Sequence, residues 1–471
     1  MNNDAFRRNA HEIVDWIADY FEGLPKQHVI PEVTPGQIRR MLPETAPEKG
    51  ESFASLMSDL ERIVLPGVTG WQHPGWFAYF PANSSPPSVL AEMVTAALGQ
   101  QGMLWTTSPV ATELEMLVLD WLVDLLGLPP GWKMTGPGGG SIQVSASDAS
   151  HLALVVARHR QPGPTDQMVA YASSQSHSSL EKGARVAGYR HYRPVAVGSD
   201  FAMSPSALAE AISADRAEGL IPAFVCSTVG TTGTTAVDPV PEVSVIAHRE
   251  GMWHHVDAAF AGSAMICPEF RKYQAGLETV DSYVFNPHKW LLTNFDCSVF
   301  YVADRKPLLD TLQITPPYLR SAQSASNEVV DYRDWQLPLG RRFRALKLWW
   351  VIRTYGAEGL RELIRRHVAL AADFATRIRA QPELELVAPV PFSLVSFRHT
   401  GGDEATNAIA RAINESGHSY VTPSEIDGRR FIRVSIGGIN TTAADVDRLW
   451  DLVISRLKGG PHGGAAIGGL D

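Results

Sequence analysis

Two neighbouring runs decide how this chain folds: Trp253-His254-His255-Val256-Asp257-Ala258-Ala259, then Ser282-Tyr283-Val284-Phe285-Asn286-Pro287-His288-Lys289-Trp290. Each starts as a short apolar strand and ends in polar residues. Similar apolar runs stand at Val169–Tyr171, Ala223–Ser227 and Ser298–Val302. Helical patterns separate several of them, at Pro205–Arg216 and Val240–Glu250. Strand alternating with helix predicts an α/β domain with a mostly parallel sheet.

Working outward, Gly136–Arg160 (GPGGGSIQVSASDASHLALVVARHR) reads as a glycine-rich turn followed by an amphipathic helix capped near Ser147 or Asp148. Further upstream, Phe53–Val64 and Ser88–Gly127 carry helical patterns, the second stopping at Gly127-Leu128-Pro129-Pro130. Phe6, Ala10, Ile13, Val14, Ile17, Phe21 and Leu24 share one helical face whose partner is another lobe or another subunit. Downstream, the polar stretch Thr315–Glu328 reads as a long exposed loop. Helices follow at Arg341–Tyr355 and Leu360–Ala380. A small α+β lobe then combines strands at Ser393–Arg398 and Phe431–Ile436 with helices near Glu404–Ser416 and Ala443–Leu457.

At 471 residues, 45% of them hydrophobic, the chain can bury a large core. Its net charge of −9, from 41 basic and 50 acidic residues, argues against binding nucleic acid or an anionic membrane. Cys226, Cys267 and Cys297 cannot form a disulfide framework. The N-terminus lacks the apolar run of a signal peptide, and no stretch of about 18 apolar residues exists to span a membrane. These features predict a cytosolic enzyme.

Few residues stand out chemically. Lys289 sits in apolar surroundings, which depress a lysine pKa and favour an imine-forming amine; the plain alternative is a snorkelling lysine. Asp257 ends a buried strand, where open α/β sheets bind ligands, and could hold a cofactor pyridine nitrogen protonated; alternatively it caps the next turn. His255 shares its strand face, but no third ligand stands nearby at metal-like spacing. Gly138–Gly140 before Ser145-Ala146-Ser147 can present N–H groups to an anion, without the Gly-Lys-Ser/Thr ending of a P-loop. Thr231–Thr235 is a second small polar turn. His177, in Gln175-Ser176-His177-Ser178-Ser179, could stack on a flat cofactor or be merely structural.

Taken together and in order, these pieces resemble the group II pyridoxal-phosphate (PLP) decarboxylases, most closely the aromatic L-amino acid decarboxylases. The resemblance rests on Asn286-Pro287-His288-Lys289-Trp290 and His255-Val256-Asp257-Ala258-Ala259. It extends over Phe77-Ala78-Tyr79-Phe80-Pro81, Ser145-Ala146-Ser147, His177-Ser178-Ser179, Gly230-Thr231-Thr232 and Phe295-Asp296-Cys297-Ser298, to Pro338-Leu339-Gly340-Arg341-Arg342-Phe343-Arg344. It implies a fold-type-I PLP homodimer with active sites at the subunit interface. The implied layout is an N-terminal helical segment (1–80) packing on the partner, a large PLP-binding domain (81–355), a small C-terminal domain (356–457) and a glycine-rich tail (458–471).

The same resemblance implies residue roles. Lys289 carries the cofactor, Asp257 pairs with its ring nitrogen, and His177 stacks on the ring. Ala146, Ser147, Asn286 and His288 lie at the phosphate; Thr232, Ala259 and Gly340 complete the cofactor site. Tyr318, in Pro316-Pro317-Tyr318-Leu319, is the implied proton donor. Trp71, Tyr79, Phe80 and Pro81 match the wall that binds an aromatic side chain. Ala82, Gln101 and Met103 depart from animal members, which carry a threonine and apolar or aromatic residues there. The expected reaction is decarboxylation of an aromatic L-amino acid to an arylalkylamine. The rivals are an aldehyde synthase, a decarboxylase for a non-aromatic acid, and a silent PLP-fold binding protein.

Overall fold

A computed structural model describes residues 1–314 and 329–458. At its centre is a seven-stranded sheet of order β1-β7-β6-β5-β4-β2-β3. The strands are β1 Gly139–Gln143, β2 Met168–Ser173, β3 His191–Val195, β4 Ile221–Thr228, β5 Trp253–Asp257, β6 Ser282–Phe285 and β7 Ser298–Val302. Strands β3, β2, β4, β5 and β6 run parallel; β7 is antiparallel to β6 and to β1. The expected mostly parallel α/β sheet is therefore present. Helices Pro205–Ala217 and Val240–Glu250 lead into β4 and β5. Strands β2, β5, β6 and β7 are buried along their whole length, which is why each reads as an apolar run without alternation.

Two strands differ from the sequence reading. The glycine-rich segment is turn and bend through Pro137, and its last two glycines, Gly139 and Gly140, already open β1. A Cβ added at Gly140 would lie 2.7 Å from the Tyr301 ring, and one at Gly139 would lie 2.6 Å from Trp335. Close packing, not strand propensity, selects glycine here. The second strand is β3, His-Tyr-Arg-Pro-Val. It lies at the sheet edge, where partial exposure and Pro194 are tolerated and the apolar signal is weak.

The 88–127 pattern resolves into helices Pro86–Leu98 and Pro109–Leu126. Each starts with proline in its first turn and stops at a left-handed glycine, Gly99 or Gly127. Ala345–Arg379 is one long helix broken at Gly356 (φ 65°, ψ 170°), between the two helices expected there. A second sheet, of four strands, forms in the C-terminal part.

The chain divides into two compact units. One comprises Phe80–Phe397 with Ser435–Ile439 and holds the seven-stranded sheet. The other comprises Met1–Tyr79, Arg398–Val434 and the chain from Asn440. Its first helix, Asn3–Gly23, is capped by the Asn2 side chain accepting from the Ala5 amide at 2.9 Å. No residue of that helix is buried, and Phe6 on its apolar face is 63% exposed.

In the larger unit a buried ion pair ties helix Pro109–Leu126 to the segment after β7. Arg341 donates to Glu115, and Glu115 also accepts from the Ile142 amide of β1 at 2.7 Å. The same guanidinium donates to Gln336 at 2.5 Å and lies over the Tyr332 ring. Burial raises the Glu115 pKa despite this pairing. Removing one partner leaves the other charge buried alone. Glu115→Ala should therefore destabilise the fold by about 3–5 kcal/mol, measured as the loss of unfolding free energy in urea.

Candidate active site

The carboxyl ends of β4, β5 and β6 open onto a cavity of about 230 Å³. Strand β5 delivers Asp257. Its Oδ1 accepts from the Ala259 amide at 2.9 Å, and its backbone carbonyl accepts from Val229. Strand β6 delivers Asn286 and the short helix Pro287–Trp290 that carries Lys289. The Lys289 Nζ lies 5.2 Å from the Phe80 ring centroid. Phe80, Phe260 and Trp290 stack face to face, at centroid spacings of 4.0 and 4.6 Å. Trp290 donates to His367 at 3.0 Å, so the stack behind Lys289 is anchored in the core.

A helix N-terminus forms another wall. Ser145 caps helix Ala146–Arg160, its hydroxyl accepting from Asp148 N at 3.1 Å, and Ser145, Ala146 and Ser147 all line the cavity. Such a turn presents unpaired N–H groups to an anion. His177 closes a further side, with Nδ1 bonded to Ser179 Oγ at 2.8 Å. Burial lowers its pKa; Asp257 raises it and Lys289 lowers it. His177 therefore faces both charges across the cavity.

His288 is held by the 296–298 turn. Cys297 N–H donates to His288 Nδ1 at 3.1 Å, which leaves the ring proton on Nε2, and the ring packs against Phe295. Burial, with the Lys289 charge, pushes its pKa down to about 3, so the ring is neutral. Three other buried histidines are pushed down by burial: His254 and His367 to about 3, His255 to about 4. On unfolding, all four regain an ordinary pKa near 6.5. Their stability contribution is complete above pH 6.5 and is lost as pH falls towards the folded values. Buried Asp238, raised to about 6, opposes this only below that pH. Lowering the pH from 7.5 to 6.0 should thus cost about 3 kcal/mol of unfolding free energy, read from urea midpoints at the two pH values.

Of the residues expected at the site, Phe80, Ala146, Ser147, His177, Thr232, Asp257, Ala259, Asn286, His288 and Lys289 all line this cavity. Tyr318 lies outside the described residues. Pro81, Ala82, Gln101, Met103 and Gly340 do not line it. Gln101, Met103 and Gly340 instead gather elsewhere on the same unit: Gln101 Oε1 accepts from Met103 N at 3.0 Å and from Arg341 N at 3.2 Å. Leu337 and Leu339, beside Gly340, are exposed. Trp71 and Tyr79 belong to the smaller unit, in an aromatic group with Trp76 and Tyr420. Ser179 and Gly230, from the motifs that carry the resemblance, also line the cavity, as do Thr228 and Phe260, which lie in none of them. Gly230 (φ 88°) has no room for a Cβ, which would lie 2.7 Å from Ala261.

The pyridoxal-dependent decarboxylase conserved domain matches residues 35–400. The chain belongs to this family. The aromatic-L-amino-acid decarboxylase of Bos taurus is 44% identical over 466 residues, covering 96% of both chains. The phenylacetaldehyde synthase of Arabidopsis thaliana is 43% identical over 469 residues, again covering 96% of both. The crystal structure of Oryza sativa TDC with PLP and tryptamine superposes with a TM-score of 0.95 at 38% identity, covering 97% of this chain and 98% of that one. The resemblance and the fold class expected from the sequence are thus both found.

The cavity suits this family's cofactor. An amine, a buried carboxylate, an imidazole face and a helix N-terminus surround a space for one small flat ring with an anionic arm. Lys289 would hold the aldehyde carbon, Asp257 the ring nitrogen, and the Ser145–Ser147 turn with Asn286 the phosphate.

Proposed function

We propose that this protein decarboxylates aromatic L-amino acids to arylalkylamines and carbon dioxide. The observation that carries this reading is the convergence of Lys289, Asp257 and His177 on one cavity walled by the Phe80–Phe260 stack. Bound PLP supplies a covalent handle for the substrate amine and an electron sink for the carbon that loses its carboxylate.

The chain's own groups do the rest. Lys289 would hold the cofactor's aldehyde carbon and, on release as the free amine, would leave that carbon to the substrate amine. Asp257, fixed by the Ala259 amide, keeps a proton on the ring nitrogen and so preserves the sink. His177 covers one ring face. The N–H groups at Ser145–Ser147 fix the phosphate and hence the ring's angle. The aromatic wall favours a flat side chain. Tyr318 donates the proton that replaces the departing carboxylate. Gln101, Met103 and Gly340 complete the site of a second copy, and the apolar face of helix Asn3–Gly23 packs on that copy. The enzyme works as a cytosolic homodimer.

The second reading is an aldehyde synthase, favoured by the phenylacetaldehyde synthase being almost as similar as the decarboxylase. A panel separates the readings: L-dopa, tyrosine, phenylalanine, tryptophan, 5-hydroxytryptophan, histidine and glutamate with PLP, products identified by mass. Amines from the aromatic members alone are the expected result. Aldehydes with peroxide, or amines from histidine or glutamate alone, would overturn it.

A further inference from the structure

Thr228 ends β4 beside Asp257, its partner in the parallel register, so the two side chains stand on the same sheet face at the mouth of the cavity. Thr228 is 95% buried (5% exposed), yet its Oγ1 has no hydrogen-bond partner among the described residues. Its backbone is clamped: the amide donates to Asp238 Oδ2 at 2.7 Å, and the carbonyl accepts from Asp238 N at 2.9 Å. Asp238 also accepts from Met203 N at 2.7 Å, which fixes the clamp itself. The backbone is thus fixed while the hydroxyl has no partner in the chain, a state that costs stability unless a ligand relieves it.

We infer that Thr228 is a cofactor-binding residue, its hydroxyl giving a hydrogen bond to an oxygen acceptor of PLP held beside Asp257. This rests on the reading of the cavity as the PLP site. Two other buried polar side chains of the cavity are paired within the chain: Asn286 accepts from Ser298, and His288 accepts from Cys297.

The test uses the full-length protein, stripped of PLP and titrated back with it, as wild type, Thr228→Val, Thr228→Ser and Asp257→Asn. Valine keeps the shape and removes the hydroxyl; serine keeps the hydroxyl. Thr228→Val should raise the PLP dissociation constant about tenfold, and Thr228→Ser less than about threefold. Without PLP, Thr228→Val should unfold at or above the wild-type temperature, because no bond is lost. Wild-type PLP affinity in Thr228→Val, or equal losses in the valine and serine variants, would overturn the inference. If Asp257→Asn also left PLP affinity unchanged, the reading of the cavity itself would fail.

Discussion

Lys289→Ala should lower the decarboxylation rate by roughly a thousandfold or more while leaving the unfolding midpoint of the cofactor-free protein near that of wild type. Lys289 is half-buried, and its Nζ lies over the Phe80 ring, whose stack with Phe260 and Trp290 is made by ring contacts of its own. Its use is chemical: a primary amine placed to bond an aldehyde and then be displaced. Lys289→Arg keeps the positive charge but is not a usable nucleophile, and should lose as much rate as alanine. Borohydride treatment should fix PLP to a peptide containing Lys289 in the wild type and to none in either variant. A variant that kept rates within tenfold of wild type would remove Lys289 from the mechanism.

Asp257→Asn should cost roughly 10²- to 10⁴-fold in kcat, the second-largest effect expected of a single site. The substitution is nearly isosteric. The Ala259 amide still finds an acceptor at the position of Oδ1, and β5 keeps its place between β4 and β6. What is lost is the negative charge that holds a proton on the ring nitrogen. The same loss lowers the His177 pKa further, because Asp257 is the group that raises it against burial. The loss should therefore fall on kcat, while KM for the amino acid changes little.

The strand ends bearing Asp257 and Lys289 were legible because a strand buried on both faces is written with apolar and aromatic residues that do not alternate with charged ones, and its polar ending is then conspicuous. The order of such endings along the chain, with Ser145-Ala146-Ser147 and His177 between β1 and β4, pointed to one family. Strand β1 was hidden because its glycines answer to the Tyr301 and Trp335 rings, residues far away in sequence. Thr228 was passed over for a similar reason. Only the β4–β5 register sets it beside Asp257, and only the folded chain shows its buried hydroxyl without a partner. The Gln101 side-chain carbonyl accepts from the Met103 amide and from the Arg341 amide 240 positions away, a closure that local sequence does not encode.

The most direct test of the central claim follows the carboxylate itself. Full-length protein with PLP would be given L-tryptophan, and then L-tyrosine and L-dopa, each labelled with carbon-13 in the carboxyl group. Labelled carbon dioxide, amine and dissolved oxygen would be measured together. The predicted result is one labelled carbon dioxide per arylalkylamine formed, no oxygen consumed, and neither product from Lys289→Ala. Labelled carbon dioxide accompanied by aldehyde and oxygen uptake would contradict it, as would no release from any aromatic acid.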